Sequence, residues 1–432
     1  MTKTDLIIIG CGPGGYRAAE YAVKHGLTVT IIENKHAGGT CLNFGCIPTK
    51  CYAHDAEIGD CSDFRRIFER KKHVVEQLRN GIETLMMQPG ITFVQQGKGF
   101  FKDAKTIKVG EDEFTADNII IATGAHAKLP PIDGISSKCV VTSTELLEFE
   151  HIPENLCIIG AGVIGMEFAS AFQRFGSNVT LVEFMNECLP TMDSDIAKRL
   201  RKCLEKRNIK FYLQSSVKAI TDDSVVFERK GKEATIIANT VLVATGRVPN
   251  VKELNLKNAG VEYSGKGIPV NEDMQTNIPH IYAIGDVNGR QMLAHAAIFQ
   301  GFRAVNHILG KNDSIRFDIM PAAVFTAPEA ACVGLTAEQC AVQGIDCKEY
   351  KGYYRTNGKA LASEVSEGMV KIITDNRNDK IIGCHIYGAH AANMVQEIAA
   401  LMNCEITLSH FADIIHTHPT LGEILQDIAI NR

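Results

Sequence analysis

The same order of apolar and polar positions occurs twice in this chain. Residues 6–9 form a continuous apolar run of the length of a strand buried on both faces. Gly10-Cys11-Gly12-Pro13-Gly14-Gly15 follows, and then Ala18, Ala19 and Ala22 on a predicted helix. A second run, 27–32, ends at Glu33. The order returns as the run 156–159, the turn Gly160-Ala161-Gly162-Val163-Ile164-Gly165, a helix predicted through Phe175, and a strand over 178–182 ending at Glu183. In both copies the acid stands 18 positions beyond the last glycine of the turn.

A glycine-rich turn alone is weak evidence of a nucleotide site. Strand, turn, helix, strand and terminal acid in order, and twice over, are far stronger. In each turn the first two glycines (Gly10 and Gly12, Gly160 and Gly162) admit a pyrophosphate close to backbone N–H groups. The third (Gly15, Gly165) lets the helix pack on the strand, so that its N-terminus faces the phosphates. Gly14 belongs to the first cradle as well. Glu33 and Glu183 then stand where a ribose diol donates hydrogen bonds. The competing reading, a βαβ unit with a glycine-rich turn and no ligand, would have to hold for both copies.

Other runs extend the pattern. Residues 119–121 lead into Ala122-Thr123-Gly124, and residues 241–243 into Ala244-Thr245-Gly246, both as strands entering a small-residue turn. Alternating stretches at 106–109 and 224–228 read as meander strands inserted into each unit. From about residue 316 the texture changes. Residues 369–374 and 380–386 read as paired strands around a turn at 376–379, and 391–402 as a helix with Met394, Ile398 and Leu401 on one face. A last helix is predicted to open at Pro419 and to carry Leu421, Ile424, Leu425 and Ile428 at helical spacing.

A chain of 432 residues suits two or three domains. Its 45% apolar and 22% charged residues are those of a globular protein, and a net charge of -5 gives no electrostatic case for nucleic acid or an anionic membrane. No apolar stretch approaches the roughly 20 residues that span a bilayer, and residues 1–5 leave no room for a signal peptide. A cytoplasmic protein, or one of an organelle matrix if a presequence has been removed, without membrane or nucleic-acid partners is expected. The 14 cysteines are scattered, with no zinc-like spacing, so no metal is expected. Cys157, Cys188, Cys203, Cys332 and Cys384 sit among apolar residues and read as small buried hydrophobes. Cys41 and Cys46 are the one close pair in a glycine-rich setting.

That pair lies in Gly38-Gly39-Thr40-Cys41-Leu42-Asn43-Phe44-Gly45-Cys46-Ile47-Pro48-Thr49-Lys50. Cysteines five apart close a small ring if the first turn of a helix is distorted, which Gly45 eases. Crosslinking so short a loop is worth roughly 2 kcal/mol or less. In a reducing compartment such a bond reads as labile and catalytic rather than structural. A helix N-terminus and Lys50 would lower a thiol pKa. Two unlinked buried thiols remain the alternative reading of the same residues.

The motif resembles the redox centre of the pyridine-nucleotide disulfide oxidoreductases. The whole chain is similar to that family, most closely to its dihydrolipoamide dehydrogenases. The resemblance implies FAD and NAD as cofactors, Cys41 as the interchange thiol, and Cys46 as the sulfur in charge-transfer contact with the flavin. It implies Lys50 beside the flavin ring with Glu167 as its carboxylate partner. Gly39, Thr40, Thr123 and Gly124 fall on the FAD side, and Gly246 on the NAD side. Tyr282-Ala283-Ile284-Gly285-Asp286 is similar to a second FAD motif, in which Asp286 holds the ribityl chain. Met292-Leu293-Ala294-His295 resembles the lipoamide branch and brings Ala294 and His295 to the same cofactor.

On this resemblance the chain is an α/β protein with two Rossmann-like nucleotide-binding domains plus a C-terminal α+β dimerisation domain. The expected boundaries are 1–148 (FAD), 149–270 (NAD), 271–315 (return to FAD) and 316–432 (interface). His418-Pro419-Thr420-Leu421-Gly422-Glu423 resembles the family's acid/base motif. Glu423, expected one turn into the last helix, would orient the His418 ring, with His416 in support. In the family this histidine serves the redox pair of the other subunit, which implies a homodimer. The implied reaction is the oxidation of dihydrolipoamide by NAD through Cys41–Cys46 and FAD. The implied macromolecular partner is a lipoyl domain of a 2-oxo acid dehydrogenase or glycine cleavage complex. Three departures from the family's pattern stand out: Gly422 replaces a serine, Asn393 a glutamate, and the segment between Lys50 and Gly97 is short, so trimmed helices are expected there. Reduction of glutathione disulfide, coenzyme A disulfide or mercuric ion is the rival activity, although mercuric reductases usually end in a cysteine pair and this chain ends Ala429-Ile430-Asn431-Arg432. A flavin-bearing structural subunit without catalysis is the remote alternative.

Overall fold

A computed structural model describes residues 2–59 and 63–432. The first apolar run is the centre of its sheet. Thr2–Ile9 lies parallel between Val29–Ile32 and Asp112–Ile121, with Leu6 opposite Val29 and Asn118. Alternate side chains feed two cores. Leu6 and Ile8 pack with Ala18, Ala19 and Ala22 of the helix Pro13–Lys24, and Ile7 and Ile9 with Phe101, Ile107 and Leu254. This explains a run without polar alternation: both faces are covered. Ile91–Val94 extends one edge of the sheet, and the antiparallel strands Thr106–Val109 and Phe100–Phe101 the other. Much later in the chain, Ile281–Ala283 pairs in parallel with 119–121, so the polypeptide returns to its first sheet. The following helix, Ala294–Ile308, packs closely on Pro13–Lys24. A Cβ at Gly301 would stand 3.1 Å from the Gly14 carbonyl oxygen.

The second apolar unit builds a parallel sheet in the order Lys210–Tyr212, Asn178–Val182, Asn155–Ile159, Thr240–Val243, Val140–Val141. Its edge strand Val140–Val141 lies ahead of the boundary expected at 148. The meander expected at 224–228 forms a separate antiparallel sheet, Ser215–Ile220, Ser224–Arg229 and Lys232–Ile237. Just beyond the two Ala-Thr-Gly turns, Ala125–Ala127 and Arg247–Pro249 pair with each other and join the two units.

The C-terminal sheet is antiparallel: Ala322–Val324, Glu329–Gly334, Ile381–Gly388, Met369–Asp375 and Cys347–Tyr353. Helices Ala391–Asn403 and Glu423–Ile430 share its core through Met394, Ile398, Ile424, Leu425 and Ile428. Two expectations need correction here. The last helix opens at Glu423, not Pro419, so Leu421 packs on the core from the preceding loop. Glu423 is therefore the first helical residue rather than one turn inside. Cys332 is half-buried, because its strand borders a large cleft. The segment after Lys50 carries the remainder of the helix Cys46–Ile58 and the helix Phe64–Met86, the latter 23 residues long.

Candidate active site

Both glycine turns place a helix N-terminus at the end of a parallel strand. The conformations are dictated sterically: Gly10 has φ 108° and Gly160 φ 104°. A Cβ at Gly15 would lie 1.9 Å from the Gly10 carbonyl oxygen, and one at Gly165 2.0 Å from that of Gly160. Gly15 and Gly165 thus act by packing, and unlike Gly10, Gly12, Gly14, Gly160 and Gly162 they do not line the cleft. The N-caps Gly12 and Gly162 bring no side-chain acceptor to the first-turn N–H groups, which suits an anionic pyrophosphate. The terminal acids do something the spacing does not reveal. Glu33 accepts from the Cys11 N–H (2.8 Å) and the Lys35 N–H (2.8 Å), and Glu183 from the N–H groups of Ala161 (2.6 Å) and Met185 (2.7 Å). Each carboxylate clamps its own glycine turn and keeps lone pairs for a ribose.

Between the turns lies the thiol pair. Gly39–Phe44 and Cys46–Ile58 are successive helices broken at Gly45, whose φ and ψ are -150° and -112°. The break sets Cys41 beside Cys46, which opens the second helix. Both are thiols here and lie against each other. The contact with Cys41 is the main reason the Cys46 pKa is lowered, with the Lys50 charge assisting against burial. The Cys41 pKa is raised, by the same contact and by burial. Lys50 Nζ sits 2.9 and 2.8 Å from the Glu167 carboxylate oxygens and 4.3 Å from the centre of the Phe325 ring. Glu167 also accepts from the Phe325 N–H at 3.0 Å, which ties the C-terminal sheet to this lysine.

Asp286 follows Ile281–Ala283 into the cleft. Burial raises its pKa against the pull of Arg247, whose Nε lies 3.4 Å from the carboxylate. Arg247 was missed in the sequence; its signal was its place just after the second Ala-Thr-Gly turn. Thr123 is held by Asn250, whose carbonyl accepts from its hydroxyl (2.9 Å) and whose side chain donates to its carbonyl (2.8 Å). His295, near the start of Ala294–Ile308, is 2.8 Å from the Pro321 carbonyl oxygen. All these residues, with Gly10, Gly12, Gly14, Gly39, Thr40, Gly124, Gly160, Gly162, Gly246, Ala294 and the thiol pair, line one continuous cleft of about 2600 Å³. Its two phosphate-suited turns, buried carboxylate and thiols fit a flavin dinucleotide and a second dinucleotide. FAD would rest on Gly10–Gly14, Glu33 and Asp286, and NAD on Gly160, Gly162 and Glu183.

His418 and Glu423 stand elsewhere. His418 Nδ1 is 2.8 Å from Glu423 Oε1, and the Thr420 N–H donates to Oε2 at 2.7 Å. The Thr420 bond first, and then His418, holds the Glu423 carboxyl below its usual pKa. The His418 side chain is 82% exposed and does not line the cleft of its own chain. His416 is buried behind it, with Nε2 2.8 Å from Glu397. Gly422 leaves ordinary contact space around a Cβ, so the missing serine distorts nothing nearby.

Known proteins resemble this chain over its whole length. Residues 4–301 match the pyridine nucleotide-disulphide oxidoreductase family, and residues 320–429 match its dimerisation domain. The chain is 37% identical to dihydrolipoyl dehydrogenase 1, mitochondrial, of Arabidopsis thaliana, over 99% of its own length and 90% of that protein. It is 36% identical to dihydrolipoyl dehydrogenase of Bacillus subtilis, covering 99% and 98% of the two chains. Among solved structures, the copper(II) complex of the HOCl-induced flavoprotein disulfide reductase RclA of Escherichia coli superposes with a TM-score of 0.92. It is 31% identical, with both chains covered completely.

Proposed function

This chain belongs to the pyridine nucleotide-disulphide oxidoreductases, FAD- and NAD-dependent enzymes that pair as homodimers, and from that premise we propose that its substrate is dihydrolipoamide. Bound FAD would take two electrons from the thiol pair and pass them on to NAD as hydride. The chain's own residues do the thiol chemistry. His418 of the partner subunit takes the proton of a substrate thiol, and the resulting thiolate attacks Cys41 of the disulfide form. The second substrate thiol resolves the mixed disulfide, leaving Cys41 protonated and Cys46 as the thiolate. Lys50, neutralised by Glu167, keeps that negative charge from being isolated in a buried site.

The observation that carries this reading is the thiol pair lining the cleft between the two glycine turns, beside the Lys50–Glu167 ion pair. Reduction of another small disulfide, or of a metal ion, would use the same pair. The His418–Glu423 arrangement favours a dithiol, because a metal ion carries no thiol proton for a base to remove. Steady-state rates with dihydrolipoamide, glutathione and reduced coenzyme A, compared side by side, test the choice; faster turnover with either monothiol would overturn it. We further propose a lipoyl domain of a 2-oxo acid dehydrogenase or glycine cleavage complex as the macromolecular substrate. A cytoplasmic setting suits thirteen described cysteines that are all free thiols. No helix among the described residues is long and apolar enough to cross a membrane.

A further inference from the structure

We propose that Cys340 and Cys347 form a second redox pair, separate from Cys41 and Cys46, that a hydroperoxide converts to a disulfide and a small dithiol restores. Seven positions apart, they give no motif in the sequence; the fold brings them together. The helix Ala337–Gln343 opens with a capping box between Thr336 and Gln339 and ends where Gly344, at φ 68°, turns the backbone. The Ile345 N–H then donates to the Cys340 carbonyl at 2.9 Å, which folds the chain back over the last helical turn. Two residues later it enters the edge strand Cys347–Tyr353, with Cys347 opposite Asp375. The helix packs on this strand and brings the Cys340 side chain next to that of Cys347. Neither cysteine lines the cleft that holds Cys41.

The two sulfurs differ in access. Cys340 is fully buried, whereas Cys347 is half-buried at the end of the exposed stretch 341–344. A solvent-borne oxidant therefore meets Cys347 first. Cys340, out of reach of solvent, serves as the resolving thiol, and burial followed by its neighbour Cys347 raises its pKa. In the first step the Cys347 thiolate attacks a peroxide oxygen, the O–O bond breaks, and water or an alcohol leaves after protonation. Cys347 is then a sulfenic acid. Cys340 attacks its sulfur, the S–S bond forms, and the hydroxyl departs with the Cys340 proton as water. Two thiols lose two electrons, and the peroxide gains them. A dithiol reverses the change by exchange through a mixed disulfide.

The test uses the reduced holoenzyme. It is treated with hydrogen peroxide, its remaining thiols are alkylated under denaturing conditions, and it is cleaved ahead of aspartate, which cuts between the two cysteines before Asp346. Mass spectrometry should find the two fragments joined through Cys340 and Cys347, and dithiothreitol should separate them. In Cys340→Ser, Cys347 should run on to sulfinic acid; in Cys347→Ser, Cys340 should stay alkylatable. The proposal is overturned if wild-type Cys347 reaches sulfinic acid as fast as in Cys340→Ser. It is equally overturned if both cysteines remain fully alkylatable at a dose that has oxidised the exposed Cys404.

Discussion

At Cys46 the neighbouring Cys41 and Lys50 set the chemistry. With its pKa lowered, Cys46 in the reduced enzyme should stay thiolate to lower pH than an ordinary thiol and become protonated as the pH falls further. Ultraviolet thiolate absorbance, titrated in the dithiol form, should show a step below that of an ordinary thiol. Cys41→Ala removes the neighbouring thiol, so the step should move to higher pH; a step that stays in place would mean that Lys50 alone governs Cys46. His418 invites a second substitution. A base within hydrogen-bond reach contributes ~10²–10⁴-fold to rate, so His418→Gln should slow dithiol oxidation by about that factor. Because His418 lies outside the cleft of its own chain, flavin content should be unchanged. Glu423→Gln keeps the side chain's size and still lets one oxygen accept, so its loss should be smaller. Equal losses in the two variants would mean that the carboxylate does more than orient the ring.

The elements depend on close approach as much as on apolar burial. The strand–turn–helix unit closes only because Gly165 lets the helix Val163–Phe175 sit against the Gly160 carbonyl. Gly165→Ala would force a Cβ to within 2.0 Å of that oxygen. Overpacking of this kind typically costs about 1–3 kcal/mol. The helix must shift, and with it the N–H groups that face the phosphates. The expected result is a lowered denaturation midpoint together with a raised KM for NAD, while flavin stays bound on the first unit. An unchanged KM would show that the second turn does not carry the dinucleotide. The same unit shows why a terminal acid recurs: Glu33 and Glu183 hold their turns even before any ribose arrives.

At the scale of the molecule, the C-terminal sheet is bolted to the second nucleotide unit through buried charge. Lys371, on the strand Met369–Asp375, lies 2.8 Å from Asp193 and 3.1 Å from Glu349. Asp193 also caps the helix Ser194–Lys206, and neither its side chain nor that of Lys371 is more than 4% exposed. Burial opposes the ammonium, but Asp193 and Glu349 outweigh it and the Lys371 pKa is raised. Lys371→Met would leave Asp193 without its cation at a cost of about 3 kcal/mol, read as a drop in the urea midpoint. No drop would mean that the helix N–H groups satisfy Asp193 unaided. The homodimer adds a second test. If His418 serves the partner's Cys41, mixing a Cys41→Ser chain with a His418→Gln chain gives dimers with one intact site. Activity should then recover in part, and no recovery would place the base within its own chain.

Local chemistry determined much of this protein in advance. Strand and helix periods, the obligatory glycines of both turns and the motif around Cys41 and Cys46 depend on residues only a few positions apart, so they are written in the chain itself. The return of 281–283 to the first sheet was legible through the residues around Asp286, and it is realised in the pairing with 119–121. What only the tertiary structure decided are meetings across long separations. Arg247 and Asp286 are 39 residues apart, and Lys371 and Asp193 are 178 apart. Nothing local encodes such pairs, because their geometry follows from how whole sheets pack. The start of the last helix belongs here too. Proline suits a first helical turn and so suggested Pro419, but the loop through Thr420 is held by Glu423, and regular hydrogen bonding begins only there. Cys340 and Cys347 give the clearest case. Their spacing is unremarkable, and only a left-handed glycine and an edge strand turn two scattered cysteines into neighbours.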